Sequence, residues 1–290
     1  MGVGVAVYGG RMIDPLLTLP EVEPDVFDGP PRVGTILPKT FGGHTMAQAL
    51  AAACRTVDDV RAPVFAQGLF LSAGDTDGPT RYAVERVREG RSMDMRAVRA
   101  HQGHREIFRL TASFQSEGPG FTHEASMPNV AAPEDVPTLF DVMDRHSALD
   151  SDDWRREWSF LDLRYMEENL LEPSADQGRQ QLWMRLPEVE GGEPWRSRCL
   201  VAYVSDLALL AASLVPHGVM LGAPDIPRAT LTHSVHFHVD PAPGEWVFID
   251  QRSEWAGGGR GLSHAAMYSR GGQRLATFVQ DGLIRRRTAR

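Results

Sequence analysis

The chain has 290 residues, 42% of them hydrophobic, enough to bury one large core or two of ordinary size. Its formal charge of -8 argues against a nucleic-acid binder or a peripheral membrane protein, both of which present basic surfaces, and Lys39 is the single lysine among 30 basic residues, a skew that reads as codon bias. Cys54 and Cys199 form no CxxC pair, and no run approaches 18 uninterrupted apolar residues, so the expectations are a reducing cytoplasm, no disulfide or zinc framework, no export and no membrane span.

Taken along the chain, the first helical pattern is the apolar, Ala-rich stretch Thr45 to Val57, introduced by Phe41-Gly42-Gly43-His44. Alternating runs follow at Val64–Phe70, Arg81–Val87, Met95–Ala100 and Ile107–Phe114, which predict strands. An acidic, Pro-containing stretch from Pro133 to about Asp153 reads as a crossover with a solvated face and a short helix. A second apolar stretch, Asp206 to Val215, predicts a helix opened by Tyr203-Val204-Ser205-Asp206, and strands are predicted at Ala229–Val239, Trp246–Gln251, Leu262–Tyr268 and Arg274–Val279.

Helix first and then a strand meander therefore occurs twice. The segment Arg109 to Gln115 aligns with Arg274 to Gln280, matching Gln115 to Gln280, and the two helix starts match His44 to Asp206. The boundaries read as a first half over 12–120, a crossover over 121–155 and a second half over 156–290. Helices with no wide polar face need burial nearly all round, so the predicted architecture is α+β, an antiparallel sheet curled round one central helix in each half.

Several residue groups are candidates for chemistry. On a strand, His236 and His238 share a face and His233 points the other way; two same-face histidines suit zinc, but no third ligand follows, so no metal is expected. Gly257 to Gly261 lacks the Lys-Ser/Thr of a phosphate-binding loop, and no GxSxG elbow is present. Gly42-Gly43 is equally a plain tight turn or a helix start offering backbone N–H groups to an oxyanion. Asp206 stands where a helix N-cap belongs, Thr230 is a good strand former and Gln280 suits an outward strand position, so each has a structural reading beside a catalytic one.

At these residues the sequence resembles the type II acyl-CoA thioesterase (TesB-like) family of double-hotdog proteins. The likeness runs from about Leu16 to Arg285 and is carried by Phe41-Gly42-Gly43 with Ala47-Gln48-Ala49-Leu50, Phe70-Leu71 with Gly74-Asp75, Thr111 to Gln115, Ser205-Asp206-Leu207, Pro216-His217-Gly218, Ala229-Thr230 with His233-Ser234, Phe237-His238, and Val279-Gln280 with Gly282. It implies a tandem hotdog fold, each half a central helix wrapped by antiparallel sheet, and hydrolysis of fatty acyl-CoA to free acid and CoA through an activated water. The family's catalytic Asp, Ser/Thr and Gln fall on Asp206, Thr230 and Gln280, with no cofactor required.

Substrate contacts are expected from Gly42, Gly43 and His44, with Arg91, Arg96 and Arg260 as candidates for the CoA phosphates, each equally an ordinary strand-end arginine. The acyl chain is expected in an apolar tunnel between the halves, and the chains are expected to form a homo-oligomer. The sequence departs from the family pattern in Val64 to Asp75, at His44 in place of Gln, at His236 in place of Trp, and at Arg96-Ala97 in place of an Arg pair. A non-catalytic acyl-CoA-binding double hotdog and another hotdog activity, such as an enoyl-CoA hydratase, are the alternative readings. Retention of the trio favours hydrolysis over the first, and no Asp-x-x-x-x-His arrangement near a helix start supports the second.

Overall fold

A computed structural model describes residues 13–58, 60–146, 151–166, 178–189, 193–219 and 226–286. The short helix α1 (Ile13–Leu17) and the strands β1 (Glu21–Glu23) and β2 (Val26–Gly29) lead into helix α2 (Gly42–Cys54). Four strands follow: β3 (Ala62–Phe70), β4 (Thr80–Glu89), β5 (Met93–Gln102) and β6 (Arg105–Gln115). The crossover carries α3 (Leu139–His146) and α4 (Ser151–Glu157), and the second half continues with β7 (Asp162–Tyr165), β8 (Arg179–Arg185) and α5 (Trp195–Ser205). Two 3-10 turns, Leu209–Ser213 and Val215–His217, precede β9 (Arg228–Phe237), β10 (Trp246–Gly257), β11 (Arg260–Ser269) and β12 (Arg274–Ile284).

Among the described residues, twelve strands join one antiparallel sheet in the order β1-β2-β4-β5-β6-β3-β9-β12-β11-β10-β8-β7. The order reads outward from a central seam, β3 against β9, as the same six-strand pattern on either side. The seam pairs Phe65 with His236 through Leu69 with Thr232. This is the tandem hotdog expected of an α+β chain with two helix-then-meander halves. Each half contributes a helix to the concave side: every residue of α2 from Gly43 to Cys54 is buried, and so is α5 from Cys199 to Ser205.

Small residues allow that burial. Ala47, Ala49, Ala51, Ala52 and Ala53 are fully buried and bring the sheet close to α2. At the seam a side chain on Gly68 would run into the Phe108 ring, which packs at a tilt against Phe70 with ring centroids 4.7 Å apart. Strand alternation sorts the faces as the period of two requires: Ala276, Phe278 and Gln280 of β12 are buried while Val279 is exposed.

Three expectations are corrected here. The predicted helix Asp206 to Val215 is not an α-helix; the helix is α5, upstream, and Asp206 is its C-cap (φ -86, ψ -8), with 3-10 turns beyond. Asp206 therefore caps no helix N-terminus. The alignment of Gln115 with Gln280 is out of register by an odd number: Gln115 is exposed, its neighbour Phe114 is buried, and Gln280 lies on the buried face. An odd slip turns every side chain to the opposite face, so the two glutamines are not counterparts. Finally, β1, β2, β7, β8 and α5 carry no predicted element, because three of these strands have four or fewer residues and α5 mixes charged and apolar residues over one turn, too little for a clear period.

Candidate active site

Three elements converge where α5 ends. Asp206 stands at the terminus of α5, Gln280 points inward from β12, and Thr230 comes from β9. Thr230 reaches the inner face through a bulge. Asp281 pairs with Thr232 and Gly282 with Thr230, which leaves Leu231 unpaired. Strict alternation would put Thr230 on the outer face with Thr232 and Ser234; the extra residue turns it inward, as bulges beside functional sites often do.

The three side chains bond one another directly. Thr230 Oγ1 donates to Asp206 Oδ1 at 3.0 Å, and Gln280 Nε2 donates to Asp206 Oδ1 at 2.5 Å and to Thr230 Oγ1 at 2.8 Å. This fixes the Gln280 amide with its Oε1 on the other side, buried and without a protein partner. One oxygen of Asp206 thus takes two donors, leaving the second for other company.

That second oxygen faces the start of α2. A Cβ on Gly42 would lie 2.5 Å from Asp206 Oδ2, and a Cβ on Gly43 would run into the Tyr203 carbonyl. Of the two readings of Gly42-Gly43, the geometry gives a turn that must be glycine because Asp206 and α5 approach it so closely. Its N–H groups belong to the first turn of a helix, where backbone donors lack intrahelical partners. Burial pushes the Asp206 carboxyl up to about 7, against hydrogen bonds from Thr230, the Gly43 backbone and Gln280 that pull it down. The negative end of α5 acts in the same upward direction as burial.

Beside the trio lies a pair that the sequence reading did not single out. Ser205 Oγ and His233 Nε2 are 2.7 Å apart and buried, and His233 is opposite Gln280 in the ladder. Burial holds the His233 imidazole down at about 3, so it is neutral. The strand period did place His233 opposite in face to His236 and His238; those two lie on the outer side, His236 against Phe65 and His238 Nε2 2.9 Å from Thr277 Oγ1.

The remaining candidates lie elsewhere. His44, inside α2, is buried with Nε2 3.2 Å from the Pro30 carbonyl, and burial with the Arg32 charge holds it down at about 4. Its contacts place it outside the trio. Arg91 is exposed at the hairpin between β4 and β5. Arg96 is 1% exposed and its guanidinium is occupied by Thr56, the Arg88 and Met95 carbonyls and Glu89, an internal cross-link rather than a free phosphate ligand. Arg260 pairs with Asp281 at 2.6 Å, beside Gln280 in sequence, and lies over Trp255 at the sheet surface.

An apolar cavity opens next to the segment that follows Asp206, with Leu207 and Ala208 in its wall. Its walls are Leu139 and Met143 of α3, Trp154 of α4 and Trp158 just after it, Leu163 and Tyr165 of β7, Gln180 and Leu182 of β8, and Ala211, Val215 and Val219. This cavity lies within the second half, roofed by the crossover, a different place from the expected tunnel between the halves. The crossover is held down by Glu157, which pairs with Arg32 at 2.5 Å and accepts from Thr35 and the Ile36 backbone, and by Trp158 against Phe41 at 5.2 Å.

Comparison with known proteins follows the same layout. Residues 30–115 match the acyl-CoA thioesterase N-terminal domain and residues 133–284 the acyl-CoA thioesterase C-terminal domain. The chain is 31% identical over 288 residues to acyl-coenzyme A thioesterase 8 of Mus musculus, covering 94% of this chain and 89% of that protein. It is 34% identical over 253 residues to acyl-CoA thioesterase 2 of Haemophilus influenzae, covering 85% and 88%. Among solved structures, acyl-CoA thioesterase II TesB2 from Mycobacterium marinum superposes with a TM-score of 0.80 at 33% identity, covering 95% of this chain and 99% of that one. A hot dog fold protein of unknown function from Alicyclobacillus acidocaldarius shares the fold at 19% identity, with a TM-score of 0.78. With both domains matched in order over the two halves of one sheet, the chain belongs to the acyl-CoA thioesterase family of double-hotdog proteins.

Proposed function

We propose that the chain hydrolyses acyl-CoA thioesters by direct attack of a water held between Asp206 and Gln280. The observation that carries the reading is the closed triangle of hydrogen bonds joining Asp206, Thr230 and Gln280 beside an apolar cavity. A water donating one proton to Asp206 and the other to Gln280 Oε1 presents a lone pair to the thioester carbonyl carbon. Asp206 takes the first proton as attack proceeds, a tetrahedral oxyanion forms, and its collapse breaks the C–S bond to release the CoA thiolate, which takes up a proton, and the free acid. No metal or organic cofactor is invoked.

A carboxyl near 7 is a better proton acceptor than an ordinary one and is still substantially ionised at neutral pH. Base assistance of this kind contributes on the order of 10²–10⁴ in rate. The Gly43 N–H is taken by Asp206 itself, which leaves the Gly42 N–H, in the first turn of α2, as the backbone donor for the oxyanion. The cavity takes the acyl chain, whose burial adds about 0.8 kcal/mol per methylene.

The test is a panel of acyl-CoA thioesters of graded chain length with release of free thiol as the readout. Hydrolysis that Asp206→Asn removes, with binding of acyl-CoA preserved, is the expected result. Binding without turnover in the wild-type chain would instead favour the acyl-CoA-binding alternative.

A further inference from the structure

Beyond the Ser205–His233 pair and Thr230, a diagonal of polar side chains crosses the apolar inner face of the second half. Gln280 on β12 is directly opposite Ser263 on β11. Two residues along β11 from Ser263, Ala265 pairs with Gln251 on β10, and Gln251 is directly opposite Gln180 on β8. Each of these four polar side chains stands two residues from a core residue of its own strand, Phe278, Ala265, Ile249 and Leu182, and so shares its face toward the helices. They are between 0% and 6% exposed, and Gln280 Oε1, Ser263 Oγ, Gln251 Oε1 and Gln180 Oε1 are all buried without a protein hydrogen-bond partner.

Four such atoms in one core would cost about 1–3 kcal/mol each if left unpaired, a sum comparable with the whole stability of a domain. They also connect two places that matter, since Gln280 holds the trio and Gln180 lines the cavity. Cross-strand neighbours stand ~5 Å apart and diagonal ones ~7–8 Å, the spans that one or two bridging waters cover.

We infer that Ser263, Gln251 and Gln180 hold a file of ordered waters between the cavity wall and Gln280 Oε1, filled while the cavity is empty and kept as a store of hydrolytic water once the acyl chain occupies it. The inference rests on the hydrolytic reading above. Water consumed at Asp206 is replaced from the file through Gln280, so a turnover does not wait for bulk solvent to pass the bound substrate. Ser263, Gln251 and Gln180 are positioning residues, acting on the reaction through the water at Gln280.

The experiment compares pairs of near-equal bulk that differ only in polarity. Ser263→Val is expected to lower kcat about tenfold with KM unchanged within about twofold, and Ser263→Thr to recover most of that loss, because it restores the hydroxyl. Gln251→Met and Gln251→Glu form the second pair, with the same ordering expected. A high-resolution crystal structure of the wild-type chain is expected to show waters bridging Ser263 Oγ to Gln280 Oε1 and Gln251 Oε1 to Gln180 Oε1. Equal kcat for Ser263→Val and Ser263→Thr in a chain that hydrolyses acyl-CoA, or a dry, closed diagonal, would overturn the file and leave the hydrolytic reading standing. A wild-type chain with no hydrolytic activity would overturn the reading itself.

Discussion

Replacing Asp206 by asparagine is expected to abolish hydrolysis and yet stabilise the fold above neutral pH. The carboxyl stands at about 7 in the folded chain against an ordinary 3.8, with burial as the main cause. The folded state therefore holds this proton more tightly than the unfolded state does. That contribution is fully present below the unfolded value and is lost as pH rises through the folded one. At about 1.4 kcal/mol per tenfold change in proton affinity, the wild type forfeits at most ~4 kcal/mol across this window.

Asparagine does not titrate and forfeits nothing. Its Oδ1 still accepts from Thr230 and Gln280, but its Nδ2 turns a donor toward the Gly43 N–H, at a cost of about 1–3 kcal/mol. The variant should then be more stable than wild type by ~1–3 kcal/mol at about pH 8 and no more stable at about pH 5. Denaturant unfolding at the two pH values reads this directly. Parallel pH profiles for the two proteins, or a variant less stable at both, would refute a desolvated, ionising carboxylate at Asp206.

Thr230→Val and Gln280→Ala are expected to reduce kcat by roughly 10–10² with little change in KM, since both orient the base and its water; steady-state kinetics that show only a raised KM would make them binding residues. The pH–rate profile should rise with an acid limb near 7 as Asp206 ionises, and His44→Gln should leave that limb in place, because His44 is held neutral down to about 4. Gly42→Ala puts a methyl 2.5 Å from Asp206 Oδ2 and is expected to lower kcat at least ~10-fold while circular dichroism shows the fold intact. Ala211→Phe fills part of the cavity wall and should shift the preferred acyl chain toward shorter lengths in the thioester panel.

The sequence by itself determined the duplicated plan and named three residues that the fold brings into contact. The Ala-rich run from Thr45 fixed a buried helix, the period of two fixed His233 against His236 and His238, and residue order with family resemblance singled out Asp206, Thr230 and Gln280. Tertiary structure decided what local pattern does not encode. The apolar run after Asp206 has no polar face to mark its start, so only packing of Leu209 to Ser213 on the sheet sets it as 3-10 turns and makes Asp206 the end of α5. The bulge at Leu231 is a misfit between β9 and β12, legible in neither strand alone, and without it Thr230 would face away from the trio. Register set Gln115 outside and Gln280 inside, because a slip of one residue reverses every face. Arg96 looked like any strand-end arginine until its neighbours were known: Thr56 and Glu89 close around its guanidinium, and a charge can be buried only where partners from distant parts of the chain replace its water.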